Sequence, residues 1–122
     1  MRGDYTFGPF RLDPSKPVLW RGREIVPLTP KALALLGVLV EHAGDVVSKQ
    51  ELLARVWPDT FVSEANLSVT VAAMRTALGL QADGSSFIQT VARRGYRFGA
   101  AVRGEASERH LTLAVIDRKS VV

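Results

Sequence analysis

Cysteine is absent from this 122-residue chain, and histidine, methionine, tryptophan and tyrosine occur only twice each. The first absence excludes disulfides, thiolate nucleophiles and cysteine-spaced zinc sites, and it fits a reducing compartment, with the cytoplasm as the default. His42 and His110 have no partner at ligand spacing, so no metal is expected, and no cofactor is needed to explain a stable fold. No apolar run reaches the length of a membrane span, and the N-terminus lacks the charged, greasy, then small pattern of a secretory signal. Ser-His-acid and paired-carboxylate spacings are missing too; Ser48 and Ser63 stand where helix caps are expected. Enzyme chemistry is therefore not expected from these residues, and any catalysis would belong to a downstream part.

Against these absences stand a 47% hydrophobic share and 23% charged residues, enough to bury a real core in one small domain with at most a tail. The net charge of +4 is too small to define a partner by itself. Its placement says more. Residues 1–102 hold twelve Lys or Arg against nine Asp or Glu, a balance of +3, and Arg93, Arg94 and Arg97 fall within five positions. That cluster points to phosphate.

Residues 5–12 and 17–26 alternate apolar and polar side chains, with Asp13-Pro14 and Arg21-Gly22 as turn signals, which predicts a small antiparallel N-terminal sheet. Thr29-Pro30 then reads as an N-cap followed by proline at the first helical position, with Leu33, Leu36 and Val40 as a buried stripe up to a stop at Gly44. Ser48 and Glu51 have capping-box spacing ahead of Leu52, Leu53, Val56 and Trp57, and Pro58 closes this second helix. Ser63 is placed to cap a third, in which Leu67, Val71, Met74 and Leu78 recur on one face before a break at Gly79. The opposite face carries Ala65, Val69, Ala72 and Thr76, flanked by Asn66, Ser68 and Ala73. Solvated helices fill such a face with Lys and Glu, so an uncharged lining implies close approach to another surface.

After a loop at residues 81–86, residues 87–91 and 96–100 read as the strands of a hairpin around Arg93-Arg94-Gly95, with Gly95 expected to supply the positive φ of its turn. Trp20 and Trp57 are expected in the core, as are Tyr96 and Phe98, which alternate with Arg97. Residues 103–110 read as a linker and residues 111–116 as one strand that begins a truncated downstream domain. Residues 117–122, DRKSVV, look like a translated sequencing adapter and are expected to be an artefact, the alternative being an ordinary frayed C-terminus.

The order sheet, three helices, hairpin is an α+β arrangement. Its stretches LTPKALALLGVLVEHAGDVVSKQELLARVWPD, SEANLSVTVAAMRTALG and IQTVARRGYRF resemble the winged-helix DNA-binding domains of the OmpR/PhoB type, over about residues 5–100. The wing is most similar to the ToxR/CadC-like one-component branch. The resemblance implies a winged helix-turn-helix over residues 1–102, with helix 63–78 in the major groove and wing 92–95 on the adjacent backbone or minor groove. By the same resemblance Asn66, Ser68, Val69 and Thr70 meet base edges, where Asn can pair with adenine and Val69 can pack on a thymine methyl. Thr29, Lys31, Arg75, Arg93 and Arg94 are expected on phosphates. Ala65, Ala72 and Ala73 depart from relatives that carry Arg or Lys there, which implies softer specificity, or more reliance on thymine methyls and DNA shape.

The implied function is sequence-dependent binding of double-stranded DNA by the effector domain of a bacterial-type, cytoplasmic transcription regulator, without membrane contact from this stretch. Any membrane anchor of a longer protein is placed downstream. Homodimers on tandem half-sites and contact with RNA polymerase follow by resemblance alone. The competing reading is a winged helix that docks another protein through the neutral face of helix 63–78. Salt separates the two, because phosphate contacts weaken steeply as salt rises.

Overall fold

A computed structural model describes residues 4–13 and 18–104. The N-terminal strands are β1 (Tyr5–Phe7), β2 (Phe10–Asp13), β3 (Val18–Arg21) and β4 (Glu24–Val26). The expected single run over residues 5–12 is thus two strands, divided at Gly8-Pro9, where Gly8 takes φ +54°. The expected turn at Asp13-Pro14 falls mostly outside the described residues. A further strand, β8 (Arg103–Gly104), pairs antiparallel with β1, so the sheet runs β4-β3-β2-β1-β8. Arg103 and Gly104, expected in a linker, therefore belong to the first sheet; the expectations for residues 111–122 lie outside the described residues.

Period-two alternation sends Tyr5, Phe7, Phe10, Leu12 and Leu19 into the core. The outer face carries Thr6, Arg11, Trp20 and Ile25 on adjacent strands. Trp20 is half-buried there, with the Arg11 guanidinium 5.5 Å from its ring centroid, rather than in the core. Its ring face meets a guanidinium instead of filling the core.

Helix α1 (Pro30–Glu41) starts as predicted: Thr29 Oγ1 accepts from Ala32 N–H at 3.1 Å, and Pro30 occupies the first turn without wasting a donor. Its buried stripe is Ala32, Leu35, Leu36, Leu39 and Val40; Leu33 is only half-buried. The chain leaves through the Gly44 turn, whose N–H donates to Phe98 C=O at 3.0 Å. Strand β5 (Val46–Ser48) runs directly into α2 (Lys49–Val56), where Ser48 Oγ accepts from Glu51 N–H at 3.0 Å. Leu52 and Val56 bury against α1 and α3; Trp57, at the helix C-cap, is half-buried at the core's margin.

Helix α3 (Glu64–Leu78) buries Leu67, Val71, Met74 and Leu78 and ends at Gly79 with φ +70°. Ser63 holds the N-cap position through its carbonyl, which accepts from Asn66 N–H at 3.1 Å, and not through its side chain. Strands β6 (Ile88–Val91) and β7 (Gly95–Phe98) form the hairpin, and β5 joins the other side of β7 to give a second sheet, β5-β7-β6. Phe7, Phe10, Phe87 and Phe98 cluster with ring centroids 4.9–6.2 Å apart, which locks the hairpin's base to the N-terminal sheet.

Candidate DNA-binding surface

The site rests on α2 and α3 packed as a helix pair, with the hairpin beside the C-terminal half of α3. Ala65, Asn66, Ser68, Val69, Ala72, Ala73 and Thr76 are all exposed, and Val69 keeps 68% of its surface open. The uncharged outer face read from the sequence is therefore a real surface. Glu64, the carboxylate at its N-terminal end, faces Lys49 Nζ at 3.5 Å, so a positive partner offsets the one charge that would repel phosphate.

Of the four residues expected on base edges, Asn66, Ser68 and Val69 stand free of the core. Thr70 is half-buried, and its hydroxyl donates to Asn66 C=O at 2.8 Å. A threonine in a helix interior satisfies its proton this way against the carbonyl one turn back.

The cations divide into two groups. Arg93 and Arg94 are exposed at the hairpin tip, in the turn Ala92-Arg93-Arg94 closed by Arg94 N–H to Val91 C=O at 2.9 Å. Arg93, not Gly95, takes the left-handed turn position, at φ +66°. Gly95 has a different task. A Cβ there would sit 2.0 Å from Val47 C=O, because β7 and β5 come together at the Ser48–Gly95 pair. Glycine is required by close strand approach, as well as by its own φ of +153°.

Each cation of the second group also bonds within the fold. Arg75 Nε and Nη2 donate to Ile88 C=O at 3.1 and 3.0 Å, and Nη2 also reaches Thr90 Oγ1 at 2.7 Å. Its guanidinium thus caps the open edge of β6 and fixes the hairpin to α3, a structural contact at a position also expected to meet phosphate. Lys31 Nζ donates to Val56 C=O at 2.8 Å, a cation at the negative end of α2 that ties this helix to the start of α1. Arg97 Nε donates to Gln89 Oε1 at 2.8 Å across the hairpin. Thr29 is exposed, and its hydroxyl oxygen caps α1.

Arg75→Ala should cost about 1–3 kcal/mol in urea unfolding, because it strips charged donors from a strand edge. Thr90→Val, which removes one of the three bonds, should cost less than half of that. A midpoint for Arg75→Ala unchanged from the parent would show that the bridge contributes nothing.

Asp83, in the turn after α3, is held below the usual carboxylate range by the hydroxyl and then the N–H of Ser85, at 2.6 and 2.9 Å. This is loop-closing chemistry on an exposed turn. No helix among the described residues is long and apolar enough to cross a membrane.

Two packed helices with an uncharged outward face, joined by a side-chain bridge to an arginine-tipped β-ribbon and backed by an antiparallel sheet, define the winged helix-turn-helix class. The family model described as "Transcriptional regulatory protein, C terminal" matches residues 22–98, and this chain belongs to that family. The transcriptional regulator HilA of Salmonella typhimurium is 36% identical over 98 residues, covering 80% of this chain and 17% of HilA. The chain therefore spans less than a fifth of that relative. Among solved structures, the DNA-binding domain of Escherichia coli CadC superposes with a TM-score of 0.73 at 26% identity, over 83% of this chain and 95% of that one. The Klebsiella pneumoniae RstA DNA-binding domain, solved in complex with the RstA box, gives 0.66 at 26% identity, over 79% of this chain and 96% of its own.

Proposed function

We propose that this chain binds double-stranded DNA in a sequence-dependent manner as the effector domain of a bacterial-type transcription regulator. The outward face of α3 enters the major groove, and the wing at residues 92–95 lies on the adjacent backbone or minor groove. The observation that carries this reading is Arg93. An arginine in the left-handed region costs about 1–2 kcal/mol that glycine would not, and here it sits exposed at the tip of the hairpin that Arg75 fixes to α3. Such strain at an exposed site argues for a task performed by the side chain.

In this mechanism Arg93, Arg94 and Thr29 hold phosphates and so set affinity, while Asn66, Ser68 and Val69 read bases; Thr70 adds an acceptor oxygen and its methyl. Arg75 and Lys31 act as positioning residues that keep wing, α1 and α2 in register with α3. The same reading carries pairs of copies on tandem half-sites, contact with RNA polymerase and work in the cytoplasm. The solved complex of the RstA domain with its box supports, by likeness, the DNA-binding part of this reading.

Asn66→Ala should cost about 1–3 kcal/mol on a preferred site and little on random DNA, measured by anisotropy titration of both duplexes. Equal losses on both would remove Asn66 from base reading. The 68% exposure of Val69 on a neutral face also fits a docking surface for another protein. That alternative predicts binding indifferent to salt.

A further inference from the structure

Helix α3 contains a single cation, Arg75, and its guanidinium is engaged by Ile88 C=O and Thr90 Oγ1. Both threonines of the outward side have also committed their protons: Thr70 to Asn66 C=O at 2.8 Å and Thr76 to Ala72 C=O at 3.1 Å. What remains for a groove is the Asn66 amide, the Ser68 hydroxyl and a row of exposed methyl carbons on Ala65, Val69, Ala72 and Ala73. In the major groove, guanine offers N7 and O6, two acceptors best met by the fork of an arginine or by a lysine. This face has neither. A·T pairs offer a thymine 5-methyl to apolar side chains, and an adenine edge that an asparagine amide meets with two bonds.

We infer that the outward face of α3 reads A·T base pairs, with Val69 and its flanking alanines seated on thymine methyls and Asn66 on an adjacent adenine. The inference rests on the DNA-binding reading above and specifies its ligand. Of softer specificity, DNA shape and thymine methyls, it selects the methyls, because the structure leaves this face little other than methyl carbon with which to discriminate.

The test begins with selection of a preferred site from a random duplex pool by the 122-residue chain. Each thymine of that site is then replaced in turn by deoxyuridine, which removes the 5-methyl and leaves every groove hydrogen-bonding group in place. The expected result is an A·T-rich core in which one or two replacements each weaken binding about fourfold, the factor that corresponds to burial of one methyl. At those positions 5-methylcytosine should bind better than cytosine, and Val69→Ala, a change at an exposed position, should lose the deoxyuridine effect. A G·C-rich core, or deoxyuridine effects within about twofold at every position while binding stays salt-sensitive, would overturn the inference and leave DNA binding standing. Absence of binding to any duplex at low salt would overturn the DNA-binding reading itself.

Discussion

Gly95→Ala should lower the stability of the chain by about 2–6 kcal/mol, a large share of what a domain of this size has to lose. Two costs combine. The new methyl carbon would lie 2.0 Å from Val47 C=O and 2.9 Å from Ser48 Cα, both backbone atoms, so relief requires β5 and β7 to move apart at the Ser48–Gly95 pair. Overpacking of that kind costs about 1–3 kcal/mol, and a non-glycine residue at φ +153° adds strain of about 1–3 kcal/mol. The consequence extends past the strand, because Ser48 is also the cap of α2. Gly22→Ala supplies the comparison: Gly22 has φ +61° but nothing within 4 Å of a Cβ, so only the backbone term of about 1–2 kcal/mol applies. Urea unfolding followed by circular dichroism separates the two variants. Equal losses would mean that strand approach at Gly95 is not what selects glycine.

Arg93→Ala combined with Arg94→Ala should weaken binding to every duplex alike and make the plot of log affinity against log salt shallower by about two, one for each phosphate no longer neutralised. Both side chains are exposed, and the turn is closed by the backbone bond from Arg94 N–H to Val91 C=O, so the fold should be unaffected within about 0.5 kcal/mol. Arg93→Gly sharpens the point. It relieves the φ of +66°, so it should raise stability slightly while lowering affinity, a trade expected only if the arginine is kept for its guanidinium. A double variant that loses affinity for a preferred site but not for random DNA would instead place the wing arginines among the base readers.

Much of the architecture is legible in the sequence because its signals are local. The recurrence of Leu67, Val71, Met74 and Leu78 along α3 needs only helical geometry, and all four are buried. The caps at Thr29 and Ser48 act across three residues, and the alternation of Tyr96 and Phe98 with Arg97 marks which side of β7 is core. The neutral outer face of α3 follows from the same periodicity.

What escapes the sequence depends on distant backbone. Strand β5 is three residues long and merges with the α2 cap, and β8 is two, so neither shows a period; each exists because an edge of β7 or β1 lies open to it. Arg75 and Lys31 find backbone carbonyls 13 and 25 residues away, acceptors that no side-chain pattern announces. Their positive charge reads as phosphate contact, and nothing in the sequence signals the bonds they also make to Ile88 C=O and Val56 C=O. Gly95 gives the same lesson: its place beside the turn suggests a φ requirement alone, whereas the controlling contact is Val47 on another strand. Trp20 lies outside the expected core because hydrophobic bulk alone does not distinguish the two faces of a sheet whose outer side also bears Arg11.

In the proposed mode, this surface holds duplex DNA through phosphate contacts at the wing. The most direct test is a fluorescence anisotropy titration of the 122-residue chain against a labelled mixed-sequence duplex, between roughly 50 and 200 mM salt. Binding should be evident at the low end, fall steeply with salt, and be largely abolished in the Arg93/Arg94 double alanine variant. No binding at low salt, or binding indifferent to salt, would contradict this mode and leave the neutral face of α3 as a docking surface for protein.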